Sequence, residues 1–86
     1  MNETDIRSAL VDILGRIAPE ARGTAVPDDD DLRETLGLDS MDFLHFVVGL
    51  HERLHVDVPE RDYPQVTTLR SAVAYVAAHQ QNPAAP

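Results

Sequence analysis

The chain has 86 residues, 43% of them hydrophobic, with no cysteine and a formal net charge of −8. That length makes one small domain whose core hides about 60–65% of the surface of its unfolded chain, and the apolar content is too high for a disordered tail. The composition excludes disulfide and thiolate chemistry, a nucleic-acid binder with its basic surface and a transmembrane helix. Partners with basic docking faces fit the acidity. Met1-Asn2-Glu3-Thr4-Asp5 has neither the basic start nor the apolar core of a signal peptide, so a cytoplasmic protein is expected. The domain is expected to span residues 1–80, with a polar, Pro/Ala-rich flexible tail over residues 81–86.

Residues 2–18 read as a helix. Ile6, Leu10, Ile13, Leu14 and Ile17 form one apolar stripe. Asn2 is placed to cap it, Asp12 and Arg16 to pair on its outer face, and Pro19 to stop it. Residues 20–38 form a long connection in which Leu32, Leu36 and Leu38 are expected to pack on the core, with one helical turn over 31–36. The acid run from Asp28 to Asp31 reads as a solvated, helix-starting segment. It is not a calcium loop, because its sixth position is Arg33 where such a loop turns on Gly.

The next helix covers residues 40–54, with Phe43, Phe46, Val47, Leu50 and Leu54 as its core stripe. A second set, Met41, His45, Val48 and Glu52, lies about half a turn away and reads as a docking face. Val56 and Val58 point inward after it, and Pro59 opens a short helix over 60–62 that Tyr63-Pro64 ends. Thr67 or Thr68 caps a last helix with Leu69, Ala72, Val73, Val76 and Ala77 as its buried face. The fold class is therefore all-α, with three main helices, one short helix and a long first crossover.

The stretch that this layout serves is Gly37-Leu38-Asp39-Ser40-Met41-Asp42. Asp39 is a favoured cap and Asp42 stands where a capping box needs its return acceptor. Ser40 then falls on the first turn with its hydroxyl toward solvent. A phosphate ester there would meet free N–H groups and the positive end of the helix dipole. No base is oriented onto Ser40, so it reads as an acceptor rather than as a nucleophile in turnover.

One other motif competes. His51-Glu52-Arg53-Leu54-His55 fits H-E-x-x-H, in which i,i+4 histidines hold zinc and the Glu activates water. The third ligand is missing, because Val58 and Arg61 stand where the extended form has Gly and His, and no acid follows Asp62. The pair can at most take up metal adventitiously, and no metal site and no catalytic residue is expected.

Together these residues resemble the acyl carrier protein family, of the stand-alone type. The resemblance rests on Gly37-x-Asp39-Ser40-Met41-Asp42, the apolar helix through Leu54, the Val58-Pro59 step, the short helix and the Thr67-Thr68 helix start. It implies a monomeric four-helix bundle that catalyses nothing itself. Ser40 would carry 4′-phosphopantetheine, placed there from coenzyme A by a phosphopantetheinyl transferase, and the arm's thiol would hold acyl groups as thioesters. Asp39 would help position the transferase's metal ion. Met41, Asp42, His45, Val48 and Glu52 would meet the enzymes that load, elongate or transfer the acyl group.

The chain departs from fatty-acid-synthesis members, whose second helix is rich in Glu. His45, His51 and Arg53 stand where acids are common, leaving that helix near neutral. Docking to strongly basic partners is expected to be weaker, and weaker still as the histidines protonate. Phe43 and Phe46 imply short or shallowly held cargo. Fatty-acid, polyketide and specialised acyl-transfer pathways all remain open at this point. So do a peptidyl or aminoacyl carrier of non-ribosomal synthesis and an unmodified helical interaction module.

Overall fold

The computed structural model describes residues 2–19 and 26–80. Part of the first connection and the expected tail over 81–86 therefore lie outside the described residues. Four α-helices and one 3₁₀ helix follow in chain order among them: α1 Glu3–Ile17, α2 Leu32–Thr35, α3 Ser40–Leu54, the 3₁₀ helix Glu60–Val66 and α4 Leu69–His79. The isolated Asp31–Thr68 bridge is the one β-type pairing among the described residues. This is the expected all-α bundle, with α1, α3 and α4 as its long members.

Helix α1 starts where Asn2 Oδ1 accepts from Asp5 N at 2.8 Å. Its stripe of Ile6, Leu10, Ile13 and Leu14 is buried, while Ile17 at the end is only half-buried. Arg16 pairs with Asp12 at 3.5 Å as the spacing predicts, but Arg53 of α3 reaches the same carboxylate at 2.6 Å. Helix α1 packs on both α3 and α4. At the α1–α3 crossing Gly49 lets the backbones approach, since a Cβ there would lie 2.6 Å from Ile13 Cγ2.

The acid run faces solvent and starts a helix, as expected. Asp31 does cap α2, accepting from Arg33 N at 2.8 Å. Asp28 also meets Arg7 at 3.1 Å and Asp29 meets Arg70 at 2.6 Å, so the solvent-facing run ties the crossover to α1 and α4 as well. Arg70 holds the Asp29 carboxyl below the usual range, chiefly through that hydrogen bond, and Arg33 does the same for Asp31. Backbone bonds add to the tie, from Leu32 N to Thr67 O at 2.7 Å and from Arg70 N to Asp28 O at 2.9 Å. The second of these supplies an acceptor to an amide in the first turn of α4. Between these ties Val26, Leu32 and Leu38 enter the core.

Two expectations need correction. The short helix does not end at residue 62; it continues as a 3₁₀ helix through Pro64 to Val66. Proline's ring clashes with the carbonyl four residues back in an α-helix, whereas 3₁₀ turns pair residues three apart. The Pro64 carbonyl is taken by Thr67 Oγ1 at 3.2 Å. Ala77 is exposed, and Tyr75 is buried in its stead on α4. Helix α4 packs on the 3₁₀ helix as well as on α1, which turns its apolar stripe toward Tyr75. The phenol can enter because Asp62 accepts its hydroxyl at 2.8 Å.

Gly49→Ala should lower stability by about 1–2 kcal/mol, after the helix-propensity gain of alanine is set against overpacking of the β-branched Ile13. A thermal melt that is unchanged or raised would contradict the close crossing. Tyr75 makes a pH prediction. Burial, with the Asp62 bond second, raises its pKa. The folded state therefore keeps a proton that the unfolded chain releases near pH 10, and the associated stability is lost as pH rises beyond that. Tyr75→Phe should cost about 1–2 kcal/mol at neutral pH. Denaturant midpoints of the two proteins should converge above about pH 10; a constant difference would count against it.

Candidate functional site

The site begins before its helix does. Helix α2 ends at Thr35 with Leu36 as its C-cap, and Gly37 follows with φ at +66°, a left-handed backbone that costs other residues roughly 1–2 kcal/mol. A Cβ at Gly37 would meet nothing within 4 Å, so the glycine is there for its backbone and not for space. The amide of Leu38 then returns to Arg33 O at 2.9 Å, closing a Schellman turn and dropping Leu38 into the core.

Asp39 leaves this turn extended and caps α3. Its Oδ1 accepts from Asp42 N at 2.8 Å, and Asp42 Oδ2 accepts from Asp39 N at 3.3 Å. The expected capping box is thus formed from both sides, by two aspartates. Ser40, the first residue of α3, is exposed on the turn that the box fixes. The first amides of a helix have no carbonyl of their own to bond, so an anion esterified to Ser40 would find donors and the favourable dipole end.

Beside Ser40 lies a half-open pocket of about 340 Å³ between α3 and the 3₁₀ helix. Phe43, Tyr63, Pro64 and Thr67 line it with Ser40, and Arg33 is the one charged residue on its wall. Phe43 and Tyr63 meet edge to face with ring centroids 5.4 Å apart, and the Arg33 guanidinium stands 5.8 Å from the Phe43 centroid. Phe46 lies behind Phe43 at 6.1 Å and is fully buried. Sequence reading marked Phe43 but not Arg33 or Tyr63, which reach the pocket from other elements.

Met41, His45, Val48 and Glu52 are all exposed along α3. Asp42 is half-buried, and its carboxylate is engaged in the capping box. Leu44 was missed. It is 41% exposed, against 58% for Met41 and 44% for Val48, and its place three residues from one and four from the other makes a single apolar ridge of the three. Grooves run along both flanks of the ridge near Val48 and Glu52. One is bounded by Val58 and Pro59, the other by Ile13 and Arg16.

The H-E-x-x-H pair is not arranged as a helical ligand pair. His55 has left α-helical geometry, with φ at +58° at the C-cap. His51 Nδ1 is bonded to Asp57 Oδ1 at 2.5 Å. Among the described residues no three His, Cys, Asp or Glu side chains gather as a metal site.

A helical bundle that presents an exposed serine on a doubly capped helix start, beside an amphipathic pocket, has the form of a carrier domain. Comparison with protein families agrees: residues 4–76 match the phosphopantetheine attachment site family, and the chain belongs to it. Domains of this family bear 4′-phosphopantetheine covalently, which bears out the resemblance to acyl carrier proteins. The residues present suit that group, since Ser40 offers an exposed oxygen, the first turn offers amide donors and the neighbouring pocket joins a cation to apolar walls.

Proposed function

We propose that Ser40 is the attachment residue and that the chain carries acyl groups for partner enzymes of a fatty-acid, polyketide or specialised acyl-transfer pathway. When bound, the arm supplies a thiol that holds the acyl group as a thioester. The observation that carries the reading is the exposed Ser40 hydroxyl on a turn fixed by Asp39 and Asp42. This chain contributes the acceptor oxygen, the N–H donors around it and a surface for partners. The base and the metal ion belong to the transferase, and Asp39, the residue before the serine, would help position that ion.

The partner surface is the exposed face of α3, with Met41, His45, Val48 and Glu52 joined by Leu44, and Asp42 at its upper end. Its charge is low for an acidic protein, so apolar contact outweighs ionic steering in partner choice. Phe43 and Phe46 fill the interior next to the pocket, which favours short or shallowly held cargo.

Intact mass after incubation with coenzyme A and a broad-specificity phosphopantetheinyl transferase tests the assignment. The protein should gain the mass of one arm and Ser40→Ala should gain none. An unmodified wild-type protein, or a modified Ser40→Ala, would defeat it. Met41→Glu should leave the thermal melt unchanged, since the side chain is exposed, and lower the transferase's kcat/KM about tenfold, or ~1.4 kcal/mol. An unaltered kcat/KM would remove Met41 from the docking face.

A further inference from the structure

The outer face of α3 changes sign along its length. At the end that bears Ser40 stand Asp39 and Asp42. About 16 Å further along the helix axis, the flank toward α1 carries Arg53, with Arg16 of α1 lining the same groove. Both arginines are exposed. Between the two ends lies the apolar ridge of Met41, Leu44 and Val48.

The two arginines share one carboxylate oxygen. Asp12 Oδ2 takes Arg53 Nη1 at 2.6 Å and Arg16 Nη2 at 3.5 Å. One negative charge cannot balance two guanidiniums, and the longer contact leaves Arg16 the less neutralised. The sign also differs across the ridge. Glu52 borders both grooves, but on the side of Val58 and Pro59 it is joined by Asp57, and no arginine lines that groove. A carboxylate approaching α3 therefore meets complementary charge on the α1 flank. The groove there has a volume of about 250 Å³, with apolar walls of Ile13, Ile17 and Val48 beside Gly49, which has no side chain to fill it.

We infer that this α1–α3 groove takes an acidic side chain from a partner's docking helix, with Arg16 as the specificity-determining residue and Arg53 beside it. The partner helix lays an apolar stripe on the ridge, a cation toward Asp39 and Asp42, and a Glu or Asp toward Arg16. A ridge with a groove on each flank suits the packing of one helix on another. The two signs fix the direction of docking. A uniformly basic helix can lie on a uniformly acidic face either way round, whereas ends of opposite charge admit one direction, so the same end of the partner always meets Ser40. This takes as given that α3 is the face that the carrier's partners meet.

The test titrates the full ¹⁵N-labelled chain with two synthetic amphipathic helical peptides of about 15 residues. Both carry leucines spaced to match the ridge and lysines at one end, and they differ only in a Glu or a Gln beside the last leucine. The Glu peptide should bind about threefold tighter, the size of one exposed ion pair. It should shift the amides of Ile17 and Gly49 as well as that of Met41. This preference runs against the net charge of −8, which by itself favours the neutral peptide. In Arg16→Gln the two peptides should bind equally, and Arg16→Lys should restore part of the difference. Arg16 is exposed and its contact with Asp12 is long, so the thermal melt of both variants should match the wild type. Equal binding of the two peptides to the wild-type protein, a Glu preference that survives Arg16→Gln, or binding of neither peptide would overturn the assignment of this groove. Intact mass after the transferase reaction is taken on the same protein. A gain of one arm without a Glu preference leaves the carrier assignment standing; a Glu preference without that gain leaves the groove standing and removes the carrier.

Discussion

Two carboxylates that each accept the other's backbone amide decide where α3 begins. The Asp39–Asp42 box fixes the first turn at Ser40 rather than one residue earlier or later. A displaced start would rotate the serine by about 100° around the helix and take Phe43 and Phe46 out of the core with it. The box in turn depends on Gly37, whose left-handed backbone brings the chain out of α2 and into line with α3. The Schellman bond from Leu38 and the burial of its side chain hold that approach. Exposure of Ser40 is thus a result of its neighbours' bonds.

The remainder of the bundle keeps this turn still. Three aspartates tie the crossover to arginines of α1, α2 and α4, and backbone bonds stitch it to the start of α4. Each ion pair is exposed and weak singly. They share one short segment with backbone bonds and the buried Val26, Leu32 and Leu38, so the segment is held at several points at once. On the far side of α3 the Gly49–Ile13 approach sets the distance to α1. The helix that bears the site is therefore fixed at its start by caps and in its second half by close packing.

Much of this was legible in the sequence wherever the signal is local. Helix periodicity placed α1 and α3, and cap chemistry placed Asn2 and Asp39 and narrowed the last cap to Thr67 or Thr68, because these depend on residues three or four apart. Tertiary partners were not legible. The role of Asp28 and Asp29 depends on Arg7 and Arg70, which are distant in sequence. Tyr75 displaced Ala77 because Asp62 could accept its hydroxyl. The 3₁₀ helix ran through Pro64 because the local rule against proline applies to the α-ladder. In the site, Ser40 and Phe43 were visible from spacing, while Arg33 and Tyr63 came to the pocket from elements before and after α3.

The outer face of α3 exposes Met41, Leu44 and Val48, and the Ser40 pocket lies on its flank. Both surfaces owe their positions to the same capped turn, so the state of that turn before any partner or arm arrives is the central matter. Amide hydrogen exchange at Asp42 reads it directly, since this N–H donates to Asp39 Oδ1. The Asp42 amide should be protected in the apo protein and exchange roughly fivefold or more faster in Asp39→Ala, as expected for a cap worth about 1 kcal/mol. Exchange of the Asp42 amide at the unfolded-chain rate in the wild-type apo protein would show that the turn is not preformed.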